Sequence, residues 1–249
     1  MRTALVTGGA RRIGAAIVKD LAEHGYNVAL QYTSSEKKAD ALVDELRAEG
    51  NRVVAFEADL IERNGPQQLF SDVLEKFGSV ELLVNNASVF HADSITEINE
   101  DLWDEHFAIH TKAPSLLSSA MAAQSNLGSG LIINMIDQRV WQLTPNFFSY
   151  TLSKSALWTA TQTMAQALAP RIRVNAIGPG PTLPNERQSQ EDFQKQVDGL
   201  ILKRSPELEE FGRTIRFLDQ SPSVTGQMIA LDGGQHLGWE TPDVLGIRE

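Results

Sequence analysis

Asp137, Tyr150 and Lys154 are the side chains that could do proton chemistry together in this sequence. Tyr150-Thr151-Leu152-Ser153-Lys154 puts a phenol and an ammonium four positions apart, on one face if the segment is helical. A free phenol ionises near pH ~10, so at neutrality it acts as an acid or base only beside a cation that favours phenolate. Lys154 can supply that cation and also reach a nucleotide ribose. The same spacing makes an ordinary surface pair, and Asp137 also reads as a helix N-cap or turn residue. Position favours the chemical reading. Leu131 to Ile136 is an unbroken apolar strand of the kind buried on both faces, and Asp137 stands at its end.

A second stretch, Thr7-Gly8-Gly9-Ala10-Arg11-Arg12-Ile13-Gly14, follows the apolar run Ala4-Leu5-Val6 and precedes the helical pattern Ile13, Ile17, Val18, Leu21. A strand that turns through glycines into a helix N-terminus makes an anion site from unpaired N–H groups and the helix dipole. Gly8 and Gly9 permit a close backbone approach to phosphate oxygens, and Arg12 puts a long cation where a glycine would come closest. A plain structural turn is the other reading of the loop. The second strand ends Gln31-Tyr32-Thr33-Ser34-Ser35 with no carboxylate for a ribose hydroxyl. Those hydroxyls with Arg11 suit an adenosine 2′-phosphate, which favours NADPH over NADH; otherwise Arg11 is a solvated charge and the serines cap a helix. Asp59-Leu60 lies beside an adenine or only caps a turn.

These residues need a scaffold, and the chain supplies one by strict alternation. Strands are expected at Asn27–Tyr32, Arg52–Phe56, Leu82–Val84, Leu131–Ile136, Ile172–Ile177 and Gln227–Leu231, after the first at Ala4–Val6. Helices are expected between them, including a long one from near Asp101 to Ser125, one over Phe147–Ala169 and one over Glu207–Leu218. The pattern predicts an α/β, Rossmann-type, doubly wound parallel sheet in one domain spanning 1–249. Ligands then sit beyond the carboxyl ends of the strands, where Thr7, Asp59, Asn85, Asp137 and Pro179 fall.

The 249 residues carry a formal charge of −10, which argues against a general nucleic-acid surface. Zero cysteines exclude disulfides and thiolate chemistry and are compatible with a cytoplasmic location. No run of about 18 apolar residues suggests a membrane span. Met1-Arg2-Thr3 enters the first strand at once, so no signal peptide is expected. No metal site is expected.

The order and spacing of Thr7-Gly8…Gly14, Asp59-Leu60, Asn85-Asn86-Ala87, Tyr150…Lys154, Pro179-Gly180 and Asp232-Gly233-Gly234 resemble the short-chain dehydrogenase/reductase family over nearly the full chain. The resemblance implies a seven-stranded sheet, with Tyr150 as proton donor and Lys154 on the nicotinamide ribose. It also implies cofactor contacts at Gly8, Ile13, Asn86, Ala87, Ser88, Pro179 and Gly180, with Thr182 near the nicotinamide carboxamide. Three positions depart from the general family: Arg12 replaces a glycine, Asp137 the usual catalytic serine, and His110 an asparagine of the proton relay.

Arg12, Asp137 and Asn86-Ala87-Ser88-Val89-Phe90 are similar to the pteridine reductase branch, and Ile109-His110, Ala113-Pro114 and the tail from Val224 to Leu237 to its bacterial dihydromonapterin reductases. The likeness implies that Arg12 reaches cofactor phosphates and pterin, Ser88 donates to ligand, and Phe90 stacks on the pterin ring; a core role for Phe90 is the alternative. Physics agrees with the branch. An ionised aspartate only accepts hydrogen bonds and would oppose a developing alkoxide, whereas a pterin presents N–H donors and a reducible C=N bond. Asp137 and Tyr150 could deliver the proton that this reduction needs. Pro114 has no N–H for the carbonyl of His110, which frees that carbonyl for a relay water; the imidazole itself is expected to pack beside Phe107.

A substrate lid is expected at about 182–205, polar from Asn185 to Lys195 and then helical through Val197, Leu200, Ile201 and Leu202. Family members commonly form tetramers, so a homotetramer is expected. The expected activity is NADPH-dependent reduction of a 7,8-dihydropterin to the tetrahydropterin, with weak dihydrofolate reduction. A carbonyl reductase and a non-catalytic dinucleotide-binding regulator are the alternatives.

Overall fold

In the computed structural model, the seven apolar runs become seven parallel strands of one sheet. These are β1 (Thr3–Val6), β2 (Asn27–Tyr32), β3 (Val53–Glu57), β4 (Leu82–Asn85), β5 (Gly130–Met135), β6 (Ile172–Pro179) and β7 (Met228–Leu231), in the order β3-β2-β1-β4-β5-β6-β7. The structure describes residues 1–184 and 188–241.

Side chains alternate across the strands, and the sheet uses both faces. Ala4, Val6, Leu82, Val84, Leu131 and Ile133 enter one apolar cluster with α1 (Arg12–Glu23), α2 (Glu36–Ala48) and α8 (Leu208–Asp219). Leu5, Leu83 and Ile132 enter the opposite cluster with α3 (Gly65–Phe77), α5 (Ala113–Ala122) and α6 (Phe148–Leu168). Consecutive residues facing opposite cores explain the unbroken apolar runs. The order reverses between β1 and β4, and this switch point opens the crevice at the carboxyl edge where Thr7, Asn85 and Asp137 were expected.

The expected long helix is interrupted. It begins at Glu100, where Asn99 accepts from the Leu102 N–H at 3.0 Å, and α4 (Glu100–Phe107) passes into a π turn at Ala108–Lys112 before α5. Pro114 supplies the reason: it cannot donate to His110, and the chain widens to the turn N-terminal of it. The segment expected to form a lid also differs from its reading in the sequence. Its helix, α7, covers Gln190–Asp198 and gives way to Gly199, so Leu200, Ile201 and Leu202 lie beyond it. Leu200 is buried, whereas Ile201 and Leu202 are exposed. Of the polar lid stretch, residues 185–187 lie outside the described residues. Among the described residues no helix is long and apolar enough to cross a membrane.

Candidate active site

The glycine loop is held by neighbours on both sides. Gly8 N–H donates to the side-chain oxygen of Gln31 at 2.8 Å and Gly9 N–H to the Gln31 carbonyl at 2.9 Å. Just after β4, the Asn86 amide donates to the carbonyls of Thr7 (2.9 Å) and Gly8 (3.1 Å), while Thr7 Oγ1 accepts from the N–H groups of Asn86 and Ala87 at 2.9 and 3.0 Å. Asn86 and Ala87 thus position the loop itself. Gly8 has φ +62°, and a Cβ on Gly14 would lie 2.1 Å from the Gly8 carbonyl oxygen. Backbone this close leaves the concavity open only because both residues are glycine, as a dinucleotide cradle requires.

Along that cradle Arg11 is exposed at the N-cap of α1, and Ile13 is half-buried. Thr33 and Ser34 are exposed, and the Thr33 hydroxyl donates to the Ala58 carbonyl at 3.1 Å. Ser35 occupies the N-cap position of α2, yet its side chain makes no capping bond. Capping therefore does not explain that hydroxyl. Asp59 is exposed and accepts from Ile61 N–H at 2.9 Å, so one of its oxygens caps the turn. The Leu60 side chain belongs to the core, which leaves only its backbone for a nucleotide.

The chemical groups meet at the ends of β5 and α6. Tyr150 donates its hydroxyl to Asp137 Oδ2 at 2.9 Å. Asp137 also accepts from Arg139, at 3.1 Å from its guanidinium and 2.8 Å from its backbone N–H. Lys154 is 3% exposed, with its ammonium 2.8 Å from the Met135 carbonyl and 5.7 Å from the centre of the Tyr150 ring. Burial, reinforced by the Asp137 carboxylate, holds the Tyr150 phenol protonated well above its ordinary range. Burial lowers Lys154 to about 8 against the opposing pull of Asp137. In this state the pair is a neutral phenol beside a cation that can lose its charge.

A cleft of about 200 Å³ joins Asp137, Arg139 and Tyr150 to Arg12, Phe90, Thr182 and Phe193 of α7 (Gln190–Asp198). Phe90 stacks on Phe147 with centroids 4.3 Å apart and meets Tyr150 edge-on at 4.8 Å, so it stands in the cleft wall and not in the core. Arg12 reaches the cleft at φ +53°, an uncommon conformation for a non-glycine residue. Its guanidinium donates to the carbonyls of Leu183 and Pro184 at 3.2 and 3.0 Å, tying the glycine loop to the chain just after β6. Thr182 turns its hydroxyl to the Gly180 carbonyl at 3.1 Å. A larger hollow of about 320 Å³ opens beside the cleft, along Arg139, Phe147 and Gln235.

His110 is not merely packed beside Phe107. Its ring bridges Ser88 Oγ and Ser153 Oγ, each at 2.8 Å, stacks on His106 at 5.6 Å and meets Tyr150 edge-on at 5.1 Å. Burial holds both histidines neutral, His106 at about 4. Sequence reasoning also missed Arg139, Phe147 and Asp93. Arg139 sits 5.3 Å over Phe90, and the Asp93 carboxylate accepts from Ser149 N–H at 3.0 Å, capping the first turn of α6 just before Tyr150. Only the placement of Arg139, two residues after Asp137, could have signalled its part; Asp93 acts across 56 residues of sequence.

A model of the short chain dehydrogenase family matches residues 2–195. Among solved structures, FolM alternative dihydrofolate reductase 1 from Brucella canis, complexed with NADP, is 54% identical with a TM-score of 0.95, over 98% of this chain and 97% of that one. A blue fluorescent protein from a metagenomic library, in complex with NADPH, is 34% identical with a TM-score of 0.86, over 94% and 97%. The 3-oxoacyl-[acyl-carrier-protein] reductase FabG of Staphylococcus epidermidis is 32% identical, over 95% of this chain and 99% of that protein. With Tyr150 and Lys154 on one helix face beside a glycine cradle, the chain belongs to the short-chain dehydrogenase family and is an oxidoreductase of that family.

Proposed function

We propose that the protein reduces the C=N bond of a 7,8-dihydropterin, of dihydromonapterin type and to a lesser extent dihydrofolate, with NADPH. The observation that carries this reading is the Tyr150–Asp137 hydrogen bond in the cleft wall beside Phe90. A carboxylate there accepts from ring N–H and amino groups and opposes a ketone becoming an alkoxide. The FolM alternative dihydrofolate reductase of Brucella canis, 54% identical, supports the pterin class.

NADP(H) is the cofactor of the two NADP(H)-bound structures compared, and the residues here fit it: the Gly8–Gly14 cradle for the pyrophosphate, with Arg11, Thr33, Ser34 and Ser35 for the 2′-phosphate. Asp59, Leu60, Asn86, Ala87, Ser88, Pro179, Gly180 and Thr182 line the path from adenine to nicotinamide in this reading. When bound, the nicotinamide supplies a hydride to the carbon of the C=N bond. Tyr150 gives its proton to the nitrogen, Asp137 steers the phenol, and Lys154 stabilises the phenolate left behind. Phe90 offers one ring face to the pterin while Phe147 backs the other, and Arg12 contacts pterin and phosphate after leaving the lid carbonyls. The likeness to FabG favours a second reading, reduction of an ordinary carbonyl.

The test is product identification. Incubation with NADPH and a dihydropterin should yield the tetrahydropterin, with NADH a poorer donor. Recovery of unreacted dihydropterin from an enzyme that consumes NADPH with ketones would establish the carbonyl reading instead.

A further inference from the structure

The hydrogen bonds around His110 can run in two directions, and only one of them uses all three contacts at 2.8 Å. In that direction the Ser153 hydroxyl donates to the Tyr150 carbonyl at 2.8 Å, whereas the reverse sets these two oxygens lone pair to lone pair and gains only the 3.3 Å contact from Ser88 to the Val89 carbonyl. Ser153 Oγ must then accept from the other partner, His110 Nδ1, at 2.8 Å. His110 is 0% exposed, and burial, Lys154 and His106 together outweigh the Val89 carbonyl and keep the ring neutral. A neutral imidazole with its proton on Nδ1 has a bare lone pair on Nε2. That lone pair sits 2.8 Å from Ser88 Oγ, nearer than the competing Val89 carbonyl at 3.3 Å.

We propose that His110 sets the polarity of Ser88: it takes the serine proton, so Ser88 shows the ligand an oxygen lone pair and the inner cleft selects substrates that present N–H donors. This deepens the pterin reading and rests on it. It also reverses the role expected for Ser88, which the family resemblance had as a donor. Ser88 is exposed and within hydrogen-bond reach of the Tyr150 phenol oxygen, which competes with His110 for its proton. With Asp137 accepting from Tyr150 and Arg139, two acceptors then border the reacting end. A dihydropterin meets them with its ring N–H and amino groups. A ketone oxygen would meet two lone pairs and find Tyr150 as its donor there. His110 acts only through Ser88 and is a positioning residue.

The experiment has two arms. The first is ¹⁵N NMR of the imidazole nitrogens of the labelled enzyme, with His110 assigned by its loss in His110→Phe. The expected result is a neutral ring protonated on Nδ1 throughout pH 6–8. A proton on Nε2, or an imidazolium, overturns the proposal whatever the enzyme turns over. The second arm is kinetic. His110→Phe keeps a ring stacked on His106 but removes the acceptor, so Ser88 is freed to rotate. Losing one directed hydrogen bond should raise the dihydropterin KM about tenfold with kcat little changed. It should also lower the ratio of dihydropterin to ketone kcat/KM. An unchanged KM and ratio would show that His110 only packs, and would overturn the proposal. A ring protonated on Nδ1 in an enzyme that turns over no dihydropterin would sink the pterin reading and the selection claim, while leaving the proton assignment standing. Should the Phe variant fail to fold, assignment by exclusion of the other four histidines, with His24→Asn, His91→Asn, His106→Asn and His236→Asn, keeps the first arm decisive.

Discussion

Replacing Asp137 by asparagine changes one atom and tests the proposed proton delivery. The carboxylate accepts three hydrogen bonds, from the Tyr150 hydroxyl at 2.9 Å, the Arg139 guanidinium at 3.1 Å and the Arg139 N–H at 2.8 Å. An amide has one accepting oxygen and one NH₂. If its oxygen keeps the Arg139 N–H, the NH₂ faces the guanidinium donor against donor and reverses the bond to Tyr150, whose oxygen must then accept. If it turns over, the Arg139 N–H loses its partner and the cation its counter-charge. A hydrogen bond to a charged group contributes about 1.5–3 kcal/mol, so Asp137→Asn should lower dihydropterin kcat/KM by about 10- to 150-fold. NADPH affinity, measured by fluorescence titration, should stay within about twofold on this account, because Asp137 stands on the substrate side. The assay is the initial rate of NADPH absorbance loss over a dihydropterin series, with a thermal melt to show the fold is kept. A kcat/KM unchanged within about twofold would refute the steering role of Asp137 and favour the carbonyl reading.

Tyr150→Phe removes the proton itself and should lower turnover by about 10²–10⁴-fold while sparing NADPH affinity; near-normal single-turnover rates would mean another donor. In the proposed mechanism Lys154 is needed as a cation, and burial lowers it to about 8, so kcat/KM should fall as pH rises through about 8. The His106 ring, lowered to about 4, contributes no limb near neutrality. A profile flat to pH ~10 would show that the ammonium is dispensable. Arg12→Gly relieves the positive φ, which costs an L-residue roughly 1–2 kcal/mol, and gives up the two lid hydrogen bonds. Stability should therefore hold within a few degrees while the dihydropterin KM rises several-fold. Equal KM values with and without the guanidinium would remove Arg12 from the substrate site.

The sheet was legible because burial on both faces leaves a coarse mark. Leu82–Val84 and Leu131–Ile136 are apolar without interruption, and glycines punctuate the turns between elements. The Tyr150–Lys154 pairing was legible because its geometry is local: one turn of α6 carries Tyr150 to Lys154. Contacts closed between remote segments left no such mark. Asp93 caps α6 from a loop, Phe147 backs Phe90, and the His110 ring spans Ser88 and Ser153. The reach of the lid helix was misread because an apolar sequence from Val197 to Leu202 does not reveal that the helix ends at Asp198. The position of Arg12 was legible but not its partners, since the carbonyls of Leu183 and Pro184 carry no side-chain signature.

The most direct test of pterin reduction is a competition within one reaction: NADPH held limiting, a dihydropterin and a simple ketone both present, and both products quantified. The Tyr150–Asp137–Phe90 wall predicts that tetrahydropterin dominates, with a kcat/KM ratio above about tenfold. Alcohol as the dominant product, with the dihydropterin untouched, would contradict it.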